Sequence, residues 1–150
     1  MKISGWRWPP TFIWSLLVGS ILLFAGDSLA QPTADFLETY WRVLEIDGTP
    51  VKVSPPAREP HIIFKADGRR VHGSTGCNRF TGSFVKTADS LRCQQLATTR
   101  MACPPPAAGL EKSFLQAIAA VRRYHLAGNR LELQDEQGKT RLLLEAQYLR

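Results

Sequence analysis

The chain has 150 residues, with 19 Lys and Arg against 13 Asp and Glu, for a formal net charge of +6. That length is enough for one domain with a core that needs no staples. Its basic residues are scattered rather than run together and no recognised binding signature accompanies them, which argues against nucleic acid as a partner.

Lys2 and Arg7 precede an apolar run from Phe12 to Phe24, and the small residues Ser28 and Ala30 stand ahead of Gln31. This is the three-part pattern of a secretory signal peptide over 1–30, with cleavage expected after Ala30. The apolar run is short for a bilayer-crossing helix, so no stable membrane span is expected after cleavage; a retained N-terminal anchor is the rival reading. No cysteine lies near the cleavage point to take a lipid. A soluble periplasmic or secreted protein is expected.

Residues 31–39 read as a short, mixed N-terminal segment ahead of a domain spanning 40–150. "YWRVLEIDGTPVKV" (40–53) predicts a hairpin turning on Asp47-Gly48, with Trp41, Val43 and Glu45 on one face and Tyr40, Leu44 and Ile46 on the other. The proline-rich "SPPAREP" (54–60) is a loop or an edge. "HIIFKADGRRVHGS" (61–74) predicts a second hairpin on Asp67-Gly68. "RFTGSFV" (79–85) is a strand with Phe80 and Phe84 on one face. "SLRCQQLATT" (90–99) is another, with Leu91 and Cys93 on one side and Leu96 offset.

A helix is predicted from Ala107 to Tyr124, where Leu110, Phe114, Ala117, Ile118 and Val121 form one apolar stripe. Glu111 near its start and Arg122 and Arg123 near its end have the signs that suit the helix dipole. Gly128 breaks the pattern, and "RLELQDEQGKTRLLLEAQ" (130–147) is a closing hairpin. The order predicts a mainly β, α+β fold: a curled antiparallel sheet or partial barrel with one packed amphipathic helix.

These segments, and above all the blocks "GSTGCNRF" (73–80) and "TRMAC" (99–103) in this order, resemble the META domain, the HslJ-like heat-shock protein family. The resemblance runs from Trp41 to about Glu145. It implies a small β-rich domain with a helix, exported by bacteria, linked to stress tolerance and without an established enzymatic activity. Many members look like lipoproteins; this leader lacks the cysteine they require.

Three cysteines permit a disulfide, a metal ligand or a nucleophile. Cys93 lies in a strand pattern and reads as a buried free thiol. Cys77 and Cys103 lie in turn-rich surroundings rich in Gly and Pro, which favour a bridge between them over two reduced thiols. That bridge closes a loop of about 26 residues, for which the chain-entropy relation gives about 3 kcal/mol. The cysteine spacings and the isolated His61, His72 and His125 match no zinc pattern, so no metal or other cofactor is expected.

No nucleophile, base and orienting group assemble, and the turn-borne acids Asp47, Asp67, Asp135 and Glu136 are not persuasive as a catalytic pair, so no catalytic residues and no enzymatic activity are expected. Asn78, Arg79, Thr99 and Arg100 have two readings. Turn and core roles account for them, with Asn78 in a left-handed turn, Arg79 outward and Met101 filling core space. Alternatively the four form a cationic recognition patch beside the bridge for a carboxylate, phosphate or peptide backbone. The function expected is envelope stress tolerance by a monomer that binds a protein or an envelope component. The second reading is a small hydrophobic-ligand carrier using a barrel-like cavity.

Overall fold

A computed structural model describes residues 33–55 and 57–148; the leader expected over 1–30 lies outside the described residues. Among the described residues, nine strands and one α-helix follow in order as β1 (Tyr40–Ile46), β2 (Thr49–Pro50), β3 (His61–Phe64), β4 (Arg70–Ser74), β5 (Arg79–Lys86), β6 (Leu91–Thr98), α1 (Pro105–Ala120), β7 (Arg123–Ala127), β8 (Arg130–Gln134) and β9 (Thr140–Gln147). Eight of them form one continuous antiparallel path, β6-β5-β4-β3-β1-β9-β8-β7, with β2 paired to β1 alone. The sheet curls into a half-barrel. Its two end strands meet at one point, where Ser90 bridges Arg123 and the Leu91 N–H donates to the Arg122 carbonyl at 3.0 Å.

β1 is the seam. It pairs with β3 on one side and β9 on the other, joining a meander built before the helix to one built after it. Trp41 on this strand is fully buried, and its indole N–H donates to the Phe36 carbonyl at 3.0 Å, the partner a buried indole needs. The Asp47-Gly48 turn has positive φ at both residues, as a tight hairpin of the right twist requires.

The expected faces of β1 change within the strand. A bulge between Val43 and Glu45 shifts the register against β9, so Ile46 joins Trp41 and Val43 in the core and Glu45 does not. An extra residue inverts the alternation beyond it. In β6 the pairing with β5 likewise shifts, and Gln95 takes a φ of 52°. Leu96 thereby packs against the same core as Leu91 and Cys93.

α1 lies against the buried face of the sheet. Phe114, Ala117 and Ile118 are fully buried, and the Phe114 ring meets Phe80 at 5.2 Å. Three prolines open it: Pro104 is the N-cap residue and Pro105 and Pro106 begin the first turn, where a missing N–H costs nothing. It ends at Ala120, four residues before the expected Tyr124. Val121 is buried but extended, and the next residues alternate, with Tyr124 and Leu126 partly buried between the exposed Arg123, His125 and Ala127. That two-residue period is strand β7, and Gly128 turns it into β8. Only Arg122 serves the helix end, donating to the Ala119 and Val121 carbonyls at 2.9 and 2.7 Å.

The segment before β1 is part of the domain. Ala34 and Phe36 are buried, the Ala34 N–H donates to the Gly128 carbonyl at 2.8 Å, and the Phe36 ring stacks on Phe64 at 4.5 Å beside Phe84 and Tyr124. Lys86 lays its ammonium over the Phe36 and Tyr124 rings, closing the cluster from outside.

Gly73 of β4 shows how tightly the sheet curls. It pairs with Ile62 and Phe80, and a Cβ there would stand 1.9 Å from the His61 carbonyl oxygen and 2.9 Å from the Phe80 ring. Gly73→Ala is expected to lower unfolding free energy by about 2–3 kcal/mol, as overpacking against backbone does, measured by urea denaturation. A change below about 0.5 kcal/mol would show that the strand moves aside freely.

Candidate functional site

The turn joining β4 to β5 carries Thr75, Gly76, Cys77 and Asn78. Gly76, not Asn78, takes the positive φ, at 103°, and the Thr75 N–H donates to the Asn78 carbonyl at 2.8 Å to close the turn. Asn78 is therefore not there for backbone tolerance. Its side chain is buried and every polar atom has a partner. The amide oxygen accepts from the Thr99 hydroxyl at 2.7 Å and from the Met101 N–H at 2.8 Å. The amide nitrogen donates to Glu111 Oε1 at 3.1 Å, with the Met101 carbonyl and Cys103 Sγ at 3.4 Å.

Glu111, on α1, completes the network. Its Oε2 accepts from the Thr75 hydroxyl at 2.7 Å and from the Asn78 N–H at 3.2 Å. The carboxylate that the sequence assigns to the helix dipole instead ties the helix to the turn. Cys77 and Cys103 form a disulfide across the same junction, with Cα atoms 6.1 Å apart and a sequence separation of 26. The two sulfurs and the Glu111 carboxylate lie within 4.8 Å of one another, but both sulfurs are spent in the bridge and offer no thiolate to a metal.

Cys93 is free and half-buried against the core, and burial pushes its thiol up to about 12, far from a reactive thiolate.

Beside this junction, on the outer face of the sheet, runs a groove of about 710 Å³. A row of cross-strand partners forms one wall: Arg79 on β5 faces Ser74 on β4, and Ser74 faces His61 on β3, whose partner on β1, Arg42, does not line the groove. His72 stands two residues before Ser74 on the same face. Tyr40 stacks on the His61 ring at 4.2 Å, while Arg58 from the 54–60 loop and Met101 from the 99–103 loop form the other side. Met101 is 55% exposed rather than in the core, because Asn78 holds its backbone at the surface.

The charges in the groove are uneven. Glu59 is held by Tyr40, whose hydroxyl donates to it at 3.2 Å, and by Arg42 at 3.8 Å. Burial, then Glu59, pushes the Tyr40 hydroxyl up to about 12, so it stays protonated. Arg58 and Arg79 are exposed and make no ion pair or side-chain hydrogen bond among the described residues. Desolvation lowers His61 from its ordinary range, and desolvation with the charges of Lys65 and Arg70 lowers His72. Both imidazoles are neutral at pH 7.

The four residues of the recognition patch thus separate. Asn78 faces inward, whereas Thr99 is exposed and lines the groove, its hydroxyl donating to Asn78 and accepting the Arg79 N–H at 3.1 Å. Arg79 points into the groove. Arg100 is exposed but does not line it. Tyr40, Arg58, His61 and His72 were missed; the alternation on β3 and β4 marks the two histidines as outward, but only the pairing of strands sets them beside Arg79.

The META domain model matches residues 34–148, and the chain belongs to the META domain family. It is similar to a protein from Burkholderia xenovorans whose structure was solved by NMR, at 25% identity over 76% of this chain and 85% of that one, with a TM-score of 0.61. A second protein solved by NMR is 26% identical over 71% of this chain and 87% of its own, with a TM-score of 0.56. No curated protein matches the chain.

Asn78→Asp sets a second carboxylate against Glu111 and is expected to cost about 2–4 kcal/mol at pH 7, of which adding Glu111→Gln restores at least about 1 kcal/mol. Strict additivity in denaturant unfolding would show that the two side chains are not coupled. Cys103→Ser is expected to cost about 3 kcal/mol, with Cys77 then reactive toward thiol reagents only in the variant.

Proposed function

We propose that this chain is a non-enzymatic binding domain that acts in envelope stress tolerance after export, and that it engages its partner, a protein or an envelope component, through the outer-face groove beside the disulfide. The META family suggests a stress-related domain; the observation that carries the rest is the pair of guanidinium groups, Arg58 and Arg79, unpaired among the described residues, on one groove with its single acid, Glu59, already held. A binding role is supported by how the reactive groups nearby are occupied. Two sulfurs are in a disulfide, the amide of Asn78 and the hydroxyl of Thr99 are bonded within the chain, and the thiol of the half-buried Cys93 is pushed up to about 12. The hydrophobic-carrier reading has less support, because Trp41, Phe64, Phe80, Phe84 and Phe114 fill the space inside the half-barrel.

The test is complementation. A deletion strain expressing Arg58→Ala/Arg79→Ala is expected to be as stress-sensitive as the strain without the protein. The purified variant should keep its melting temperature within about 2 °C, as exposed substitutions do. Full complementation by a stably folded double variant would refute the groove as the functional site.

A further inference from the structure

Which chemistry the groove selects follows from its charge at different pH, an argument that rests on the groove being the binding site. At pH 7 its wall carries Arg58 and Arg79 against Glu59, a net of one positive charge with His61 and His72 neutral. Protonating both imidazoles raises that to three. His61 has Tyr40 stacked on it, the Glu59 carbonyl at 3.2 Å from Nδ1, the Glu59 carboxylate and His72 nearby, and Arg42 as its strand partner. His72 has Lys65, Arg70 and Glu38 as its charged neighbours, the Lys65 ammonium being paired with Glu38. Neither imidazole has a carboxylate free to neutralise it. An incoming anion is the missing partner.

We propose that the outer-face groove binds a tetrahedral dianion of the phosphomonoester class, held by Arg58 and Arg79 and clamped more tightly when His61 and His72 take up protons. Two guanidinium groups present the forked donors that phosphate oxygens accept, and the imidazoles add donors from β3 and β4. The Tyr40 hydroxyl, kept protonated, is engaged with Glu59 and so holds that carboxylate back from the anion. A single carboxylate ligand would leave most of the positive charge of the protonated groove unmet, which favours two negative charges over one. The sign is fixed by linkage: both histidines sit below their usual range when free, an anion stabilises their charged forms, and affinity therefore rises as pH falls.

Sulfate serves as the probe because it keeps both charges through this range, so any pH dependence belongs to the protein. Titrated into the full chain with its disulfide intact and followed by NMR, sulfate is expected to give saturable shifts at His61, His72 and Arg79. Its affinity should rise at least about threefold between pH 7.5 and pH 5.5. Arg79→Ala should weaken binding about tenfold, and His61→Gln/His72→Gln should abolish the pH dependence while leaving weak binding at pH 7.5. Glycerol phosphate and vesicles carrying phosphatidic acid then distinguish a soluble phosphomonoester from a lipid headgroup, and acetate should bind at least about tenfold more weakly than sulfate. Shifts that do not saturate, that fall outside the groove, or that keep their pH dependence in the double histidine variant overturn the proposal. If sulfate fails to bind while Arg58→Ala/Arg79→Ala still abolishes stress tolerance, the groove remains the site and only the phosphate assignment falls.

Discussion

The carboxamide of Asn78 is the constraint on which the junction of turn, loop and helix in this domain depends. It lies at the meeting of three pieces that are distant in sequence: its own turn, the 99–103 loop and helix α1. Asparagine suits the position because it alone among side chains of that size offers both an acceptor for Thr99 and Met101 and a donor for the Glu111 carboxylate. A buried group so fully used is expensive to disturb, since each broken bond leaves a desolvated partner behind. The disulfide spans the same junction covalently, so turn and loop are fixed twice, once by a bond and once by a hydrogen-bonded network.

That rigidity matters because the groove lies directly over it. Arg79 follows Asn78, and its backbone N–H is bonded to Thr99; Met101 follows from the same loop. The opposite wall comes from the sheet, where pairing of β5, β4 and β3 sets Arg79, Ser74 and His61 in a row. Loop and sheet are thus referenced to one another through the Asn78 amide and the disulfide, and the 54–60 loop is tied to the same turn by the Arg58 N–H, which donates to the Gly76 carbonyl at 2.7 Å.

The distribution of charge gives the site its character more than the net charge does. Part of the basic surface is matched: Arg42 with Glu145, Lys65 with Glu38, Arg70 with Asp67, Arg123 with Asp89 and Arg141 with Asp47. Exposed pairs of this kind add little stability, but they remove local field. Arg58 and Arg79 have no such match among the described residues and share one concavity, which is where a positive potential is concentrated rather than diluted.

Hairpin turns, the fold class and the bridge between Cys77 and Cys103 were legible in the sequence, because Asp-Gly pairs, two-residue alternation and turn-flanked cysteines express local backbone preferences. What was misread follows from effects that are not local. The bulges at Leu44 and Gln95 invert side-chain parity and are fixed by pairing with β9 and β5, so Ile46 and Leu96 change face without any change in composition. The helix stripe overran into Val121 because one buried valine fits both periods, and only the ladder with β8 turns Arg123–Ala127 into a strand. Asn78 and Arg79 are adjacent letters with opposite fates, one buried and one at the solvent, and their sequence does not say which. The sequence by itself therefore determined the hairpin turns and every element but the end of the helix and strand β7; the tertiary structure alone decided which polar residues face inward and which share a groove, because that depends on strand register and on contacts between residues far apart in the chain.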